Sequence, residues 1–489
     1  MMTTFSSRMV GALVFLAPFA AAAGAPPTLA CFAPAAAEEK ITLCTAALAD
    51  MTLPPPTQAL ALLARGEAYA ALGDFVKAYA DTNTALLLNP HDAPALVTRG
   101  KLRETLGTPD KAEEDYNAAV KEDAGLAEAY ARRGKLRLER GANTEALADL
   151  TEARRLNPGD TQTQSLFAAA RLKSGAGDDA IAAFTAALDA DPSDPAALRG
   201  RATAYAQHGL YKEAIADFTS ALVINANDLA AREGRGVAFL QSSNFNAAIA
   251  DFTGLEALKP GDPGPYFFRA TALLQINEAT AADEDFTFFL KKHPTDEEAL
   301  LGRALARQML ANHGGAEADL SLILARAPDA GLALAMRGFI RVMLGKWKDA
   351  SIDLAGAAAL PNAPPDVALW RFIAESRAGL AAEPALTIAA KTLPPGVWPA
   401  PVMQYFLGGL SGDQVLDAAE REPILALERL CEAYYYLGEA ASLQNDNESA
   451  HKMLTAAIGT CKIRHTEYAG AKAALQRLAN GSQTPTKAR

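Results

Sequence analysis

Residues able to do chemistry are few in this chain and widely scattered. Six histidines occur, at His91, His208, His293, His313, His451 and His465. None has zinc-ligand spacing, and most fall where turns are expected, so they read as surface residues. Ser449-Ala450-His451-Lys452 matches the Ser-x-x-Lys pattern of some acyl-serine enzymes. Gly409-Leu410-Ser411-Gly412-Asp413 approaches a nucleophile elbow, but Asp413 stands where glycine is needed and no strand precedes it. Gly234-Arg235-Gly236 follows no strand and opens no dinucleotide loop. The expectation is a non-enzyme with no catalytic residue, no cofactor and no metal.

The N-terminus points to an exported chain. Arg8 opens a leader whose apolar stretch runs from Met9 to Ala23, with small residues from Ala21 to Ala25 at its end. That length suits a cleaved signal peptide and is short for a bilayer span. Thr28-Leu29-Ala30-Cys31 is a partial lipobox with its leucine one place late, so membrane anchoring through Cys31 lipidation is the lesser alternative, and would add outer-membrane association. Four cysteines in an exported chain suggest two disulfides. Local pairing, Cys31 with Cys44 and Cys431 with Cys461, is the simplest of three connectivities. Each bridge would clip one end of the chain. The net charge of -11 opposes binding to nucleic acid or anionic lipid.

The elements that position everything else repeat every 34 residues. Alanine recurs at Ala78, Ala112, Ala146, Ala180, Ala214, Ala248, Ala282, Ala316 and Ala350, and a glycine or alanine stands twelve residues before each, from Gly66 to Gly338. A fixed period of this length marks a helical solenoid, and presents surface more than chemistry. Within one unit, Ala196 to His208 and Tyr211 to Ile224 carry helical periodicity about a turn at Gly209-Leu210. Proline near the end of most units (Pro90, Pro158, Pro192, Pro260, Pro294, Pro328) stops the second helix. Position 7 is arginine in eight of nine units, and position 23 is aspartate in the same eight; the fourth unit has Phe167 and Ala183 instead. Their joint loss predicts that each arginine pairs with the aspartate of its own unit. The alternative, an arginine ladder gripping an anion, is weakened because an acid matches every base.

This pattern resembles the tetratricopeptide repeat (TPR): Gly66, Tyr69, Ala78, Ala85 and Pro90 stand at its positions 8, 11, 20, 27 and 32. The resemblance implies an all-α, right-handed superhelical solenoid of about nine regular helix pairs, with degenerate end repeats and a C-terminal capping helix. The organisation expected is a signal peptide at 1–25, a degenerate cap at 26–58, the array at 59–362, a degenerate TPR-like region at 363–480 and a disordered tail at 481–489. In that family the first helices line a concave groove. Carried over by position, the groove offers Lys101, Glu104, Glu128, Lys135 and Glu139 in units two and three. In units eight and nine it offers Leu301, Leu305, Met309, Leu332, Phe339, Val342 and Met343. This apolar stretch is either a partner site or covered by returning C-terminal helices.

Beyond the array, Val367 to Ala378 and Pro384 to Lys391 read as a helix pair, and Leu393 to Pro401 is too proline-rich for helix. A repeat returns with Gly438, Ala441, Ala450 and Ala457, and Glu467 to Leu478 reads as the capping helix. The Trp398-Pro399 segment, Cys431-Glu432-Ala433-Tyr434-Tyr435-Tyr436-Leu437-Gly438-Glu439 and Glu467-Tyr468 together resemble the end of NlpI-type envelope TPR proteins. That resemblance implies a periplasmic adaptor that docks peptidoglycan hydrolases or a protease. The expectation is therefore a protein-binding scaffold of the cell envelope, with direct peptidoglycan binding as the alternative. Partner identity and oligomeric state are left open.

Overall fold

The computed structural model describes residues 30–361, 363–394 and 396–481. Every regular element among them is a helix. The expected leader at 1–25 and the tail beyond Gly481 lie outside the described residues. The described residues form two compact units that divide between Gly209 and Leu210.

In the first unit, α1 (Ala37–Leu48) precedes the pairs α2 (Pro55–Ala71) and α3 (Phe75–Leu88), α4 (Ala93–Thr105) and α5 (Pro109–Glu122), α6 (Ala127–Glu139) and α7 (Asn143–Leu156), and α8 (Thr161–Lys173) and α9 (Gly177–Ala190); α10 (Pro195–Gln207) ends it. The second unit opens with α11 (Tyr211–Ile224). The pairs α12 (Leu229–Gln241) and α13 (Phe245–Leu258), α14 (Gly264–Gln275) and α15 (Ala279–Lys292), α16 (Glu297–Met309) and α17 (His313–Leu324), and α18 (Gly331–Met343) and α19 (Trp347–Ala358) follow. After them come α20 (Asp366–Arg377), α21 (Glu383–Thr392), the short α22 (Ala400–Phe406) and α23 (Gly412–Glu420), the pair α24 (Ala426–Leu443) and α25 (Asn447–Thr460), and α26 (Thr466–Ala479). Within each unit, a helix packs chiefly on its neighbours in sequence.

The turn between paired helices needs one residue with positive φ, and it recurs at the repeat spacing. Gly73, Gly107, Gly141, Gly175 and Gly209 take it in the first unit; Ser243, Asn277, Ala311, Gly345 and Gly379 take it in the second. Glycine meets this demand without steric cost, whereas Ala311 bears a penalty of about 1 kcal/mol. Gly379 carries the spacing past Ala350, so the turn outlasts the side-chain pattern. Aspartate at the end of a unit caps the next first helix: Asp92 accepts from the Ala95 N–H, and Asp296 from the Ala299 N–H.

The repeated alanines are fully buried. The small residue at position 8 of these repeats lies under the side chain at position 24. A Cβ on Gly100 would sit 2.5 Å from the Tyr116 ring, and one on Gly338 would sit 2.5 Å from Leu354. Neither ring nor branched side chain could stay put, so the pair of helices would spread.

The predicted ion pairs of Arg65, Arg99, Arg133, Arg235, Arg269, Arg303 and Arg337 form within their own repeats. In the first unit Arg65, Arg99 and Arg133 each grip Asp81, Asp115 and Asp149 through two nitrogens. In the second, Arg235, Arg269, Arg303 and Arg337 hold Asp251, Asp285, Asp319 and Asp353 in the same way. The third nitrogen reaches back into the preceding repeat: Arg99 Nη1 donates to Asn83 at 2.9 Å, Arg133 to Asn117 at 2.8 Å, and Arg337 to Ser321 at 3.1 Å. Each arginine therefore ties its own helix pair together and binds it to the one before. Three of the aspartates accept from a further arginine (Arg137, Arg307 and Arg341), and Arg103 lies 2.8 Å from Asp115.

Asp319, almost fully buried, accepts from both Arg303 and Arg307. Asp319→Ala is expected to cost about 2 kcal/mol, because two guanidinium groups lose their acceptor. Removing the charges together, as in Arg303→Met with Asp319→Leu, should cost less. Urea unfolding of the single and double variants checks the order.

Candidate partner-binding surfaces

The first-helix positions expected to meet a partner fall into two settings. In the first unit, α4 and α6 carry a row of charges that brace one another. Lys101 Nζ lies 3.1 Å from Glu128, and Lys135 Nζ lies 3.9 Å from Glu104 and 3.4 Å from Glu139. Lys101, Glu128 and Glu139 are exposed, while Glu104 is largely covered and accepts a hydrogen bond from the Tyr116 hydroxyl. Burial, then this carboxylate, pushes the Tyr116 hydroxyl far above its usual range. Glu104 therefore braces the helix pair, and the open contacts of this face are its neighbours.

In the second unit, Leu332 is 61% exposed and Leu301, Leu305 and Met309 are half-buried against the core. Phe339, Val342 and Met343 retain only 8%, 1% and 5% of their accessible surface. These three are corrected from partner contacts to core, because the chain returns over them. Trp370 of α20 packs on Phe339 with ring centroids 5.0 Å apart. Arg477 of α26 donates to the Met343 carbonyl at 3.4 Å, and Arg464 Nη1 donates to Gln275 Oε1 at 3.1 Å. The segment from Arg464 to Arg477 thus runs past the C-terminal ends of α14 and α18.

A buried charge network holds that segment. Glu439, fully buried on α24, accepts from Arg377 of α20 at 2.6 Å and from Arg477 of α26 at 2.7 Å. Trp347 lies against both guanidinium groups, 5.2 and 5.0 Å from ring centroid to carbon. Burial alone would raise the Glu439 carboxyl, but the two arginines outweigh it and hold the group below its usual value. Sequence reasoning missed this network. Its one signal is an acid inside the apolar run Tyr435 to Ala441.

Beside it lies a second set of acids. Burial is the first cause that pushes Glu432 up to about 7 and Glu467 up to about 8; Asp366 and Glu428 raise Glu432 further, and Glu432 and Asp366 raise Glu467 further. Trp398 Nε1 donates to Glu432 at 2.6 Å. Cys431, His465 and Glu467 each bring a possible ligand atom within 4.8 Å of the others. That donor set is poor, because Cys431 is bonded to Cys461 and Glu467 is held protonated.

The other disulfide joins Cys31 to Cys44, which packs α1 on α2. The Ser-x-x-Lys match lies on α25 with Ala450 buried in the pair and Lys452 exposed, and Ser411 spends its hydroxyl on the cap of α23. Among the described residues no helix is long and apolar enough to cross a membrane.

The sequence profile of the tetratricopeptide repeat matches residues 97–161 and 166–229. No curated protein sequence matches the chain. Among solved structures, PilF of Pseudomonas aeruginosa is 19% identical over 42% of this chain and 93% of its own, with a TM-score of 0.38. A tetratricopeptide repeat protein of Parabacteroides merdae is 18% identical over 50% of this chain and 97% of its own, at 0.37. YrrB, described as a TPR protein with an unusual peptide-binding site, is 18% identical over 40% and 97%, at 0.32. The profile matches and the paired helices at the 34-residue spacing mark residues 97–161 and 166–229 as tetratricopeptide repeats.

Proposed function

We propose that this protein is a non-catalytic scaffold of the bacterial cell envelope that holds a partner peptide or helix along the face of its first helices. The observation that carries this is the seating of α26 and its lead-in on the ends of α14 and α18. The chain already uses that face to hold a helical segment of its own. Leu301, Leu305, Met309 and Leu332 remain beside it as an apolar landing, and Lys101, Glu128, Lys135 and Glu139 offer a charged one in the first unit. The paired cysteines at both ends suit an oxidising compartment, which supports export. Recruitment of peptidoglycan hydrolases or a periplasmic protease is the role that the C-terminal resemblance suggests.

Direct glycan binding would use exposed aromatic faces. The aromatic group on α14 and α15 is turned on itself instead: Tyr266 stacks on Phe288 at 4.0 Å and Phe267 packs on Phe289 at 5.1 Å. The protein-binding reading is therefore preferred.

A photocrosslinking residue placed at Leu305 or Glu139 in intact cells tests the proposal. Discrete protein adducts are expected at these positions and not at Val223, which is 81% exposed on a second helix. Identical adduct patterns at all three positions would sink it.

A further inference from the structure

The missing rung of the arginine ladder leaves a cleft in the first unit. Arg99, Arg133 and Arg201 each extend a guanidinium to position 25 of the preceding repeat, at Asn83, Asn117 and Thr185. In repeat four the arginine is Phe167 and the aspartate is Ala183. Thr151, at the corresponding position, bonds only the Leu147 carbonyl of its own helix. Between α7, α8 and α9 an open cleft of about 750 Å³ stands at this point. That volume lies within the usual range of ligand sites.

Its lining is chemically specific. Phe167 is buried and forms an aromatic floor, with Ala183, Ala186 and Ala190 beside it. The Arg154 guanidinium lies 4.0 Å from the centre of that ring, and among the described residues no carboxylate pairs with it. Arg155 on the same rim is tied to Glu152 at 2.6 Å, and Asp189 adds one acid. Gln164 donates through Nε2 to the Pro158 carbonyl at 2.6 Å, while its Oε1 is buried with no donor.

These groups ask for three things at once: an anion for Arg154, an N–H for Gln164 Oε1, and an apolar group for the Phe167 floor. An extended peptide supplies all three, the N–H from its backbone. A phosphate group fits less well, because one unpaired guanidinium beside Asp189 is weak compensation for a dianion. We propose that this cleft is a second binding site, for an extended peptide that carries an acidic side chain next to an apolar one. Most of its lining comes from second helices, so it stands apart from the first-helix face and does not depend on the function proposed for that face.

The test uses the full chain on an array of immobilised pentapeptides. Each has Glu or Gln at the centre, flanked by every pairing of Ala, Val, Leu and Phe. Glu-centred peptides with a large apolar neighbour are expected to bind at least about tenfold more tightly than their Gln counterparts. Arg154→Glu, an exposed change, should remove that preference. The double variant Phe167→Arg with Ala183→Asp rebuilds the rung and should close the cleft, abolishing binding while its helix content is retained. Binding to no peptide, equal binding of Glu and Gln peptides, or unchanged binding by Arg154→Glu would overturn the proposal. If the double variant fails to fold, Arg154→Glu decides the matter alone.

Discussion

Glu439→Gln should destabilise the C-terminal assembly by about 3–5 kcal/mol, although the side chain keeps its shape. The change removes one negative charge from between Arg377 and Arg477, which lie 2.6 and 2.7 Å from its oxygens. Both guanidinium groups then stay buried with an amide that can accept from them only weakly. The cost is dominated by desolvated positive charge, so replacing all three members together should hurt far less. A variant with Arg377→Met, Glu439→Leu and Arg477→Met is expected to recover most of the lost stability. Repeat arrays unfold in segments, and a global melt would blur this effect. The chain's three tryptophans (Trp347, Trp370 and Trp398) all lie in or beside this assembly. Intrinsic fluorescence in urea therefore reports it selectively. Equal losses for the single and triple variants would show that the network contributes little beyond its packing.

The same assembly should become more stable as pH falls from 8.5 to 6.5, against the habit of most proteins. Glu432 and Glu467 titrate at about 7 and about 8 in the folded chain, against about 4.3 for a free glutamate. Over this interval the native state keeps protons that the unfolded chain has released. Stability is thus full below the unfolded value and declines as pH rises through the folded ones. The combined effect is on the order of a few kcal/mol. Below pH 6.5 a different group intervenes: burial, with help from Lys462 and Arg464, lowers His465, so protonating it opposes folding. Fluorescence-detected urea midpoints at pH 6.5 and 8.5 measure the effect, and Glu467→Gln should flatten the difference. A wild-type midpoint that is equal at both pH values would mean that these carboxylates ionise in place.

The regular part of the fold was legible because one residue type answers one steric demand at a fixed spacing. Ala78 and its eight successors are buried where the period put them, and the arginine–aspartate pairs followed from the shared loss in repeat four. Contacts made by residues far apart in the chain were not legible. Nothing in the period relates Arg377 to Glu439 or Arg477, and the first-helix positions of repeat nine look the same whether a partner or α26 covers them. Phe339, Val342 and Met343 were misassigned for that reason. The cleft beside Phe167 lay between the two cases: the missing rung was visible in the sequence, but the space it leaves required the neighbouring helices.

The return of α26 over α18 also sets an order on biosynthesis. Until the chain has emerged as far as Arg477, Phe339, Val342 and Met343 have no cover from that helix, and the pair Cys431–Cys461 belongs to the same last stretch. An unfinished chain therefore displays an apolar patch that the finished chain hides. Quality-control factors that survey exposed apolar surface would have a direct means of telling the two apart.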